Sequence, residues 1–174
     1  MSVALIKRDK YDNPVKAAIE ICNGFGALET DHKVLIKPNL VIGGNKKIMP
    51  PFGKVTTARV VEELIQALVE HGCKDITIGD GAALMPEIGS DTFSAMKFSG
   101  IERIGLKYGV KLEDFESATF KKIELNGHPF KIAASALDAD FLINVPVLKT
   151  HGQATVSLGL KNLKGCLKFS SKKR

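Results

Sequence analysis

The pattern of apolar and polar positions predicts that strands and helices alternate along the chain. Residues 60–69 carry apolar side chains at helical spacing, with charged side chains on the other face, which is typical of an amphipathic helix. Short apolar runs at residues 33–37 and 75–78 lie on either side of it and have the length of buried strands. Strand, helix and strand in this order predict a right-handed βαβ unit with parallel strands.

The remaining pattern extends this unit into a sheet. Asn126-Gly127 is a strong turn signal between two strand patterns and predicts an antiparallel hairpin. The predicted first strand covers residues 3–7, and the most apolar run, residues 141–145, is the predicted central strand. Further predicted elements are a helix beginning at Asn13-Pro14, a helical stretch over residues 90–108 with a break near Gly100, and strands at 110–115, 120–125 and 129–133. The predicted fold class is α/β, a mainly parallel sheet flanked by helices, with a small antiparallel hairpin near residues 120–133.

Length and composition favour one domain. A chain of 174 residues with 44% hydrophobic residues suits a single α/β domain, predicted over residues 1–166 and followed by a basic mobile tail at 167–174. The Gly/Pro-rich connection at residues 41–55 is long for a compact domain and indicates a functional or mobile loop. No apolar run has the length of a membrane span or a secretory signal, so we expect no membrane partner and a cytoplasmic location.

The excess of positive charge is confined to the last fifth of the chain. The net charge is +6, and residues 141–174 hold seven Lys or Arg and no acid, whereas residues 1–140 hold 18 basic and 19 acidic groups. A local basic patch suits a phosphate, a carboxylate or nucleic acid. The chain has no Trp, and Phe169 is the one aromatic residue after Phe141. Single-strand binding needs aromatic stacking platforms, so nucleic acid is not a predicted partner.

The three cysteines predict no metal site. Cys22, Cys73 and Cys166 form no C-x-x-C pair, which excludes the usual zinc and cluster-binding patterns. Cys22 and Cys73 are interpreted as core residues. Cys166 lies among lysines that would favour its thiolate, although a structural role is favoured there too.

Polar residues follow three of the predicted strands, where parallel sheets bind ligands. They are Lys37 and Asn39, Asp80 between two glycines, and Asn144 with Lys149. Buried without partners, such groups would cost several kcal/mol, about 2–7 for a neutral polar group, so a ligand or mutual pairing must satisfy them. Each also has a structural explanation: Asp80 as a turn residue, Lys37 as its ion-pair partner, and Asn144 as a partner of loop backbone. As a cluster they favour a ligand-binding site, together with Thr56 and Thr57, which also offer caps for the helix.

A glycine-containing run at residues 156–165 resembles a helix N-terminus or an anion nest and includes Ser157 and Asn162. The chain has neither the Walker spacing nor a G-x-G-x-x-G, which argues against the two standard modes of nucleotide binding. His151 and Lys161 stand ten residues apart around this run. His151 is a candidate acid/base and Lys161 a candidate nucleophile, and we expect both to face one cavity. A loop histidine held by hydrogen bonds is an equally good interpretation of His151.

Several of these segments together resemble the family known as domain of unknown function 362. The resemblance rests on residues 34–39, on Thr56-Thr57, on residues 78–81, and on residues 144–151 and 159–165. Members are typically longer, and some carry a ferredoxin-type iron–sulfur domain. The resemblance therefore implies that the chain is a fragment of a longer protein, with a ferredoxin-type domain as a partner and an iron–sulfur cluster as a cofactor of longer relatives.

A more distant similarity is to nickel-pincer lactate racemases. In that family a strand ends in an acid/base His, and a Lys ten residues later carries the covalent pincer cofactor. His151 and Lys161 match this spacing, with Ser157 and Gly159 between them. The similarity implies a racemase-like site, but the second catalytic His of that family follows a strand end where this chain has Asp80-Gly81.

Two functions remain open at this stage. One is an enzyme or cofactor-handling domain in which His151 is the acid/base and Lys161 or Lys149 binds an anionic or carbonyl group of a small ligand. The other is a non-enzymatic module that docks an electron-transfer domain or another anionic partner through its basic C-terminal segment. The sequence names neither a substrate nor a cofactor.

Overall fold

The fold was analysed in a computed structural model, which describes residues 2–43, 53–152 and 154–172. Most of the predicted loop at 41–55 lies outside these residues. The helices are α1 (Pro14–Ile21), α2 (Ala58–His71), α3 (Thr92–Ser99), α4 (Ile101–Tyr108), α5 (Ala134–Asp138), α6 (Gly159–Leu163) and α7 (Phe169–Lys172). The strands are β1 (Lys33–Pro38), β2 (Asp75–Asp80), β3 (Lys111–Asp114), β4 (Phe120–Leu125), β5 (His128–Ala133), β6 (Phe141–Val145), β7 (Lys149–His151) and β8 (Thr155–Ser157).

Four strands form one parallel sheet in the order β3-β2-β1-β6. Ile36 on β1 pairs with Ile78 on β2, and Lys37 pairs with Asn144 on β6. Helices flank this sheet, and β4 and β5 form a separate antiparallel hairpin that turns at Asn126-Gly127. The predicted α/β fold class is confirmed, as is the prediction that the strands ending near Lys37, Ile78 and Val145 are parallel neighbours.

Helix α2 joins β1 to β2 and completes the predicted βαβ unit. Its buried side chains include Val61, Leu64, Ile65 and Leu68, which repeat at helical spacing and pack on the sheet. Gly72 ends the helix in the left-handed conformation, with φ of 100°, which glycine adopts without the Cβ clash of other residues. The predicted cap is only partly correct: Thr57 occupies the N-cap position, but its side chain makes no capping hydrogen bond.

The two faces of β1 are covered by different elements. Val34 and Ile36 belong to the main core with helices α2, α3 and α4, whereas Leu35 packs with Phe115, Ala133 and Cys166 on the other face. Because successive side chains alternate along a strand, Lys37 follows Leu35 onto this second face. The sheet thus directs a charged side chain towards the segment that contains Cys166.

Two predictions about the chain differ from the structure. Residues 3–7 form no strand: Val3 and Leu5 are 91% and 99% exposed, and no strand in the described part of the chain pairs with them. Strand β6 is not central but lies at the edge of the sheet, because β1 is the one strand among the described residues that pairs with it. Residues of β6 line a groove together with α1 and Phe25.

The segment predicted as a tail makes contacts up to Lys172. The Lys168 N–H donates to the Lys131 carbonyl at 2.9 Å, and the Lys131 N–H donates to Ser171 Oγ at 3.0 Å. Ser171 is buried as a result. These contacts tie residues 168–172 to the hairpin, while residues 173–174 lie outside the described part of the chain. Mobility of the segment stays a prediction.

Candidate functional site

The parallel sheet brings the three polar strand ends together. β1 lies between β2 and β6, so Lys37 has Asp80 on one side and Asn144 on the other. Ligand sites of open parallel sheets form at this carboxyl edge. The edge is closed by the β7–β8 hairpin, α6 and the short turn at Lys164–Cys166.

Lys37 and Asp80 satisfy each other inside the protein. Their Nζ and Oδ1 atoms are 2.6 Å apart, and their side chains are 1% and 4% exposed. Lys37 Nζ also donates to the Pro38 carbonyl, and Asp80 accepts the Leu40 and Gly81 N–H groups. The ion pair expected as the structural explanation is therefore confirmed, and Lys37 supports the site from beneath.

A set of amide and hydroxyl hydrogen bonds joins the other strand ends. Asn162 Nδ2 donates to Asn144 Oδ1 at 2.8 Å and approaches the Lys37 and Pro38 carbonyls at 3.2 Å. Asn144 Nδ2 in turn donates to the Gly159 carbonyl. Because these bonds run from β1 and β6 to α6, they fix the helix that carries Lys161 over the edge of the sheet.

Asn39 and Thr56 extend this arrangement towards α2. The Asn39 N–H donates to Thr56 Oγ1 at 2.8 Å, and Thr56 Oγ1 donates to the Val145 carbonyl at 2.7 Å. Asn39 Nδ2 donates to the Lys54 carbonyl at 3.0 Å. Thr56 is thus occupied by backbone groups within the protein.

The space above these residues is a pocket of about 440 Å³, which we call the strand-end pocket. It takes in seven of the residues proposed from the sequence and leaves out Lys37, Thr56, Thr57 and Asn144. Its lining residues are Asn39, Val41, Asp80, Gly81, Ala83, Lys149, His151, Ser157, Lys161, Asn162, Lys164, Gly165, Phe169 and Lys172. His151 and Lys161 therefore line one cavity, which is the juxtaposition that the sequence predicts.

The pocket carries more positive than negative charge. Lys149, Lys161, Lys164 and Lys172 line it, whereas Asp80, the one acid among its described lining residues, is paired with Lys37. Lys172 forms an ion pair with Glu116 and donates to the Gly81 carbonyl at 2.9 Å. Within the described ranges, no carboxylate forms an ion pair with the other three lysines. Their charge is thus left for a ligand.

Burial and a neighbouring charge both act on the amine of Lys149. Burial lowers the pKa of its amine from the ordinary value of 10.5, and the neighbouring charge of Lys161 lowers it further. Its Nζ donates to the Lys54 carbonyl. His151, two residues further along β7, accepts the Ala154 N–H at Nδ1, with a distance of 3.1 Å.

Sequence reasoning missed several residues of the pocket. Lys172 is assigned from the sequence only to a basic segment, and Val41, Ala83 and Phe169 are given no part in a site. The signal for the lysines is that residues 141–174 contain basic but no acidic residues. Which surface these lysines line depends on how the segment folds back onto the sheet. Cys166 is buried, and burial raises the pKa of its thiol despite the nearby Lys37. This supports a structural role for Cys166.

Other features add little to this site. Glu29, Asp31 and His32 bring ligand atoms within 4.8 Å of one another, but the two acids are exposed and lie away from the strand-end pocket.

Among the residues that the structure describes, no helix has the length and apolar character needed to cross a bilayer.

Fold and pocket together define an α/β domain with a lysine-lined cavity at the carboxyl edge of a parallel sheet. Residues 34–174 match the family model described as Domain of unknown function (DUF362), and the chain belongs to this family. The resemblance seen in the sequence is thereby confirmed.

A curated relative is a thylakoid-associated protein of Synechocystis sp., which is 28% identical over 172 residues. The match covers 95% of this chain and 50% of the relative, so the chain spans about half the length of that protein. No solved structure matches the chain significantly.

Proposed function

We propose that the chain binds a small anionic ligand in the strand-end pocket and that His151 acts on it as acid/base. The observation that carries this proposal is the group of three lysines, Lys149, Lys161 and Lys164, which line one pocket without a carboxylate partner among the described residues. Like charges held together raise the free energy of the empty pocket, and a carboxylate or phosphate relieves this repulsion. Lys161 and Lys164 bind the anionic group in this proposal.

A nickel-pincer cofactor does not fit the residues around the pocket. His151 is the one imidazole among the lining residues, and Asp80, at the strand end where racemases have a second His, is engaged by Lys37. An iron–sulfur cluster does not fit either, because among the described residues the three cysteines form no group close enough to hold one. Any relation to racemases therefore concerns the positions of His151 and Lys161, and the proposed function involves no metal.

The test is calorimetric titration of the 174-residue chain with oxalate and with inorganic phosphate. We expect saturable binding of at least one anion, and we expect Lys161→Ala to weaken it at least about tenfold because a charge-assisted contact contributes about 1.5–3 kcal/mol. Lys74→Ala is the matched control, since Lys74 is exposed and precedes β2 at the opposite end of the sheet. Absence of saturable binding, or equal losses in both variants, would refute the proposal.

A second candidate, the docking of an acidic electron-transfer domain, is favoured by exposed apolar residues beside the lysines. Leu148 and Leu160 are 73% and 89% exposed, and both lie in the segment that forms the pocket wall. Apolar side chains surrounded by positive charge suit an acidic protein surface. A soluble ferredoxin titrated at low and at high salt tests this candidate. Binding that weakens in Leu160→Ser and at high salt supports docking, whereas no binding at low salt excludes it.

The cytoplasmic location stays a prediction from the sequence. The printed name of the Synechocystis relative associates that protein with thylakoids. Fractionation of cells that produce the tagged chain tests the prediction, because recovery with the membranes would contradict it.

A further inference from the structure

The β7–β8 hairpin presents an amine and an imidazole to the strand-end pocket from the same face. Lys149 and His151 are two residues apart on β7, and side chains at this spacing point to one side of a strand. Ser157 on β8 lies opposite Lys149 in the register, and all three residues line the pocket. Thr150, between them, is exposed. The hairpin therefore places a nucleophile and a proton carrier beside the same bound molecule.

Contacts of the Lys149 amine favour a nucleophile over a structural cation. Its Nζ donates to the Lys54 carbonyl, a neutral acceptor that also receives Asn39 Nδ2. A carboxylate partner would hold the amine in its charged form, and no described carboxylate forms an ion pair with Lys149. Its side chain is half-buried, and the lowered pKa of the amine follows mainly from that burial. An amine must be uncharged to attack a carbonyl carbon.

His151 is placed to move the protons of such a reaction. Its Nδ1 accepts the Ala154 N–H, so the neutral ring carries its proton on Nε2. The ring is half-buried at the wall of the pocket. Once it carries a second proton, a histidine in this position can protonate a leaving hydroxyl group and recover the proton afterwards.

We propose that Lys149 is the nucleophilic amine of the strand-end pocket and forms an imine with a ligand that carries a carbonyl group beside its anionic group, a 2-oxo acid being the simplest case. This inference rests on the proposed anion site, in which Lys161 and Lys164 hold the carboxylate. The Nζ lone pair forms a bond to the carbonyl carbon, and one N–H proton passes from the nitrogen to the carbonyl oxygen. His151, in its protonated form, donates a proton to the resulting hydroxyl group, and the C–O bond breaks with release of one water molecule. The remaining N–H proton returns to His151, which leaves an imine. No oxidant or reductant takes part.

The experiment is reductive trapping. The full chain is incubated with pyruvate and sodium cyanoborohydride, which reduces an imine to a stable secondary amine, and the modified lysine is identified by peptide mass spectrometry. We expect modification of Lys149 at least about tenfold faster than that of Lys74, because burial and the neighbouring Lys161 lower the pKa of its amine and so increase the uncharged, nucleophilic fraction. Lys149→Arg keeps the charge and should lose the adduct, and His151→Gln should form it at least about tenfold more slowly.

Oxalate binding separates this inference from the proposed function, because oxalate offers carboxylates but no ketone carbon for imine formation. Lys149→Arg should still bind oxalate, which also shows that the variant is folded. If wild-type protein binds oxalate but pyruvate modifies lysines evenly, the inference is wrong and the anion site stands. If oxalate does not bind while Lys149 is still modified selectively, the reactive lysine is upheld and the anion site is refuted.

Discussion

Lys37 at the end of β1 and Asp80 at the end of β2 form an ion pair in which both side chains are almost completely buried. The pair joins the two inner strands of the sheet at the edge where the pocket lies. It also borders the turn that follows α6, because a Cβ atom on Gly165 would lie 2.8 Å from Lys37 Nζ. The two charges thus stabilise the floor on which the lysine-lined pocket is built.

Removing one member of this pair should destabilise the protein strongly. Lys37→Met leaves the Asp80 carboxylate buried without its cation, which costs about 3–5 kcal/mol in the free energy of unfolding. Urea unfolding followed by circular dichroism measures the loss. The double variant Lys37→Met/Asp80→Asn should recover part of it, because no net charge then remains buried. A loss below about 1 kcal/mol in the single variant would mean that water reaches the carboxylate.

Gly165 should be intolerant of even a methyl group. A Cβ atom there would lie 2.4 Å from Asp80 Oδ1, closer than such atoms can approach. Gly165→Ala should therefore cost about 1–3 kcal/mol as the turn and the ion pair are pushed apart. Gly152→Ala is the matched control, since a Cβ atom there meets nothing within 4 Å. Thermal unfolding of both variants tests the prediction, and similar melting temperatures would contradict it.

Asn162 should stabilise the fold through the hydrogen bonds that its side-chain N–H groups donate. Its Nδ2 faces three oxygens, those of Asn144, Lys37 and Pro38. Asn162→Ala should lower the free energy of unfolding by about 1–3 kcal/mol, since buried acceptors are left unsatisfied. Asn162→Asp has almost the same volume but cannot donate while ionised, so it should lose at least as much in urea unfolding at neutral pH. Full stability of Asn162→Asp would assign the role of Asn162 to packing instead.

The lowered pKa of Lys149 predicts a pH dependence of stability. The unfolded chain binds this proton more tightly than the folded protein, so protonation of Lys149 costs folding stability. This cost is absent above the ordinary pKa of 10.5, and the protein loses stability as pH falls through the lower folded value. Lys149→Met removes this cost. The free energy of unfolding of the variant, relative to that of wild type, should therefore be larger at pH 7 than at pH 10.

Urea unfolding at the two pH values measures this difference. Thr150→Met, at the exposed neighbouring position without a titrating group, should differ from wild type by the same amount at both. A pH-independent difference for Lys149→Met would show that its amine is solvated in the folded protein.

The sequence by itself determined the local elements and much of their order. Helix α2, the strands around it and the hairpin at Asn126-Gly127 follow from periodicity and turn residues, which depend on near neighbours in the chain. It also indicated which strand ends carry polar residues. Because parallel strands share one carboxyl edge, the meeting of Lys37, Asp80 and Asn144 could be predicted before any coordinates were known.

Tertiary structure alone decided which of these residues face a ligand and which face each other. The apolar composition of residues 141–145 suggested a central strand. Whether a strand lies at the edge or in the centre of a sheet depends on its pairing partners, which composition does not encode. Likewise, Lys37 and Lys149 are both lysines near strand ends. One is neutralised by Asp80, whereas the other is half-buried against the Lys54 carbonyl and beside Lys161, because charge interactions depend on distances between segments far apart in sequence.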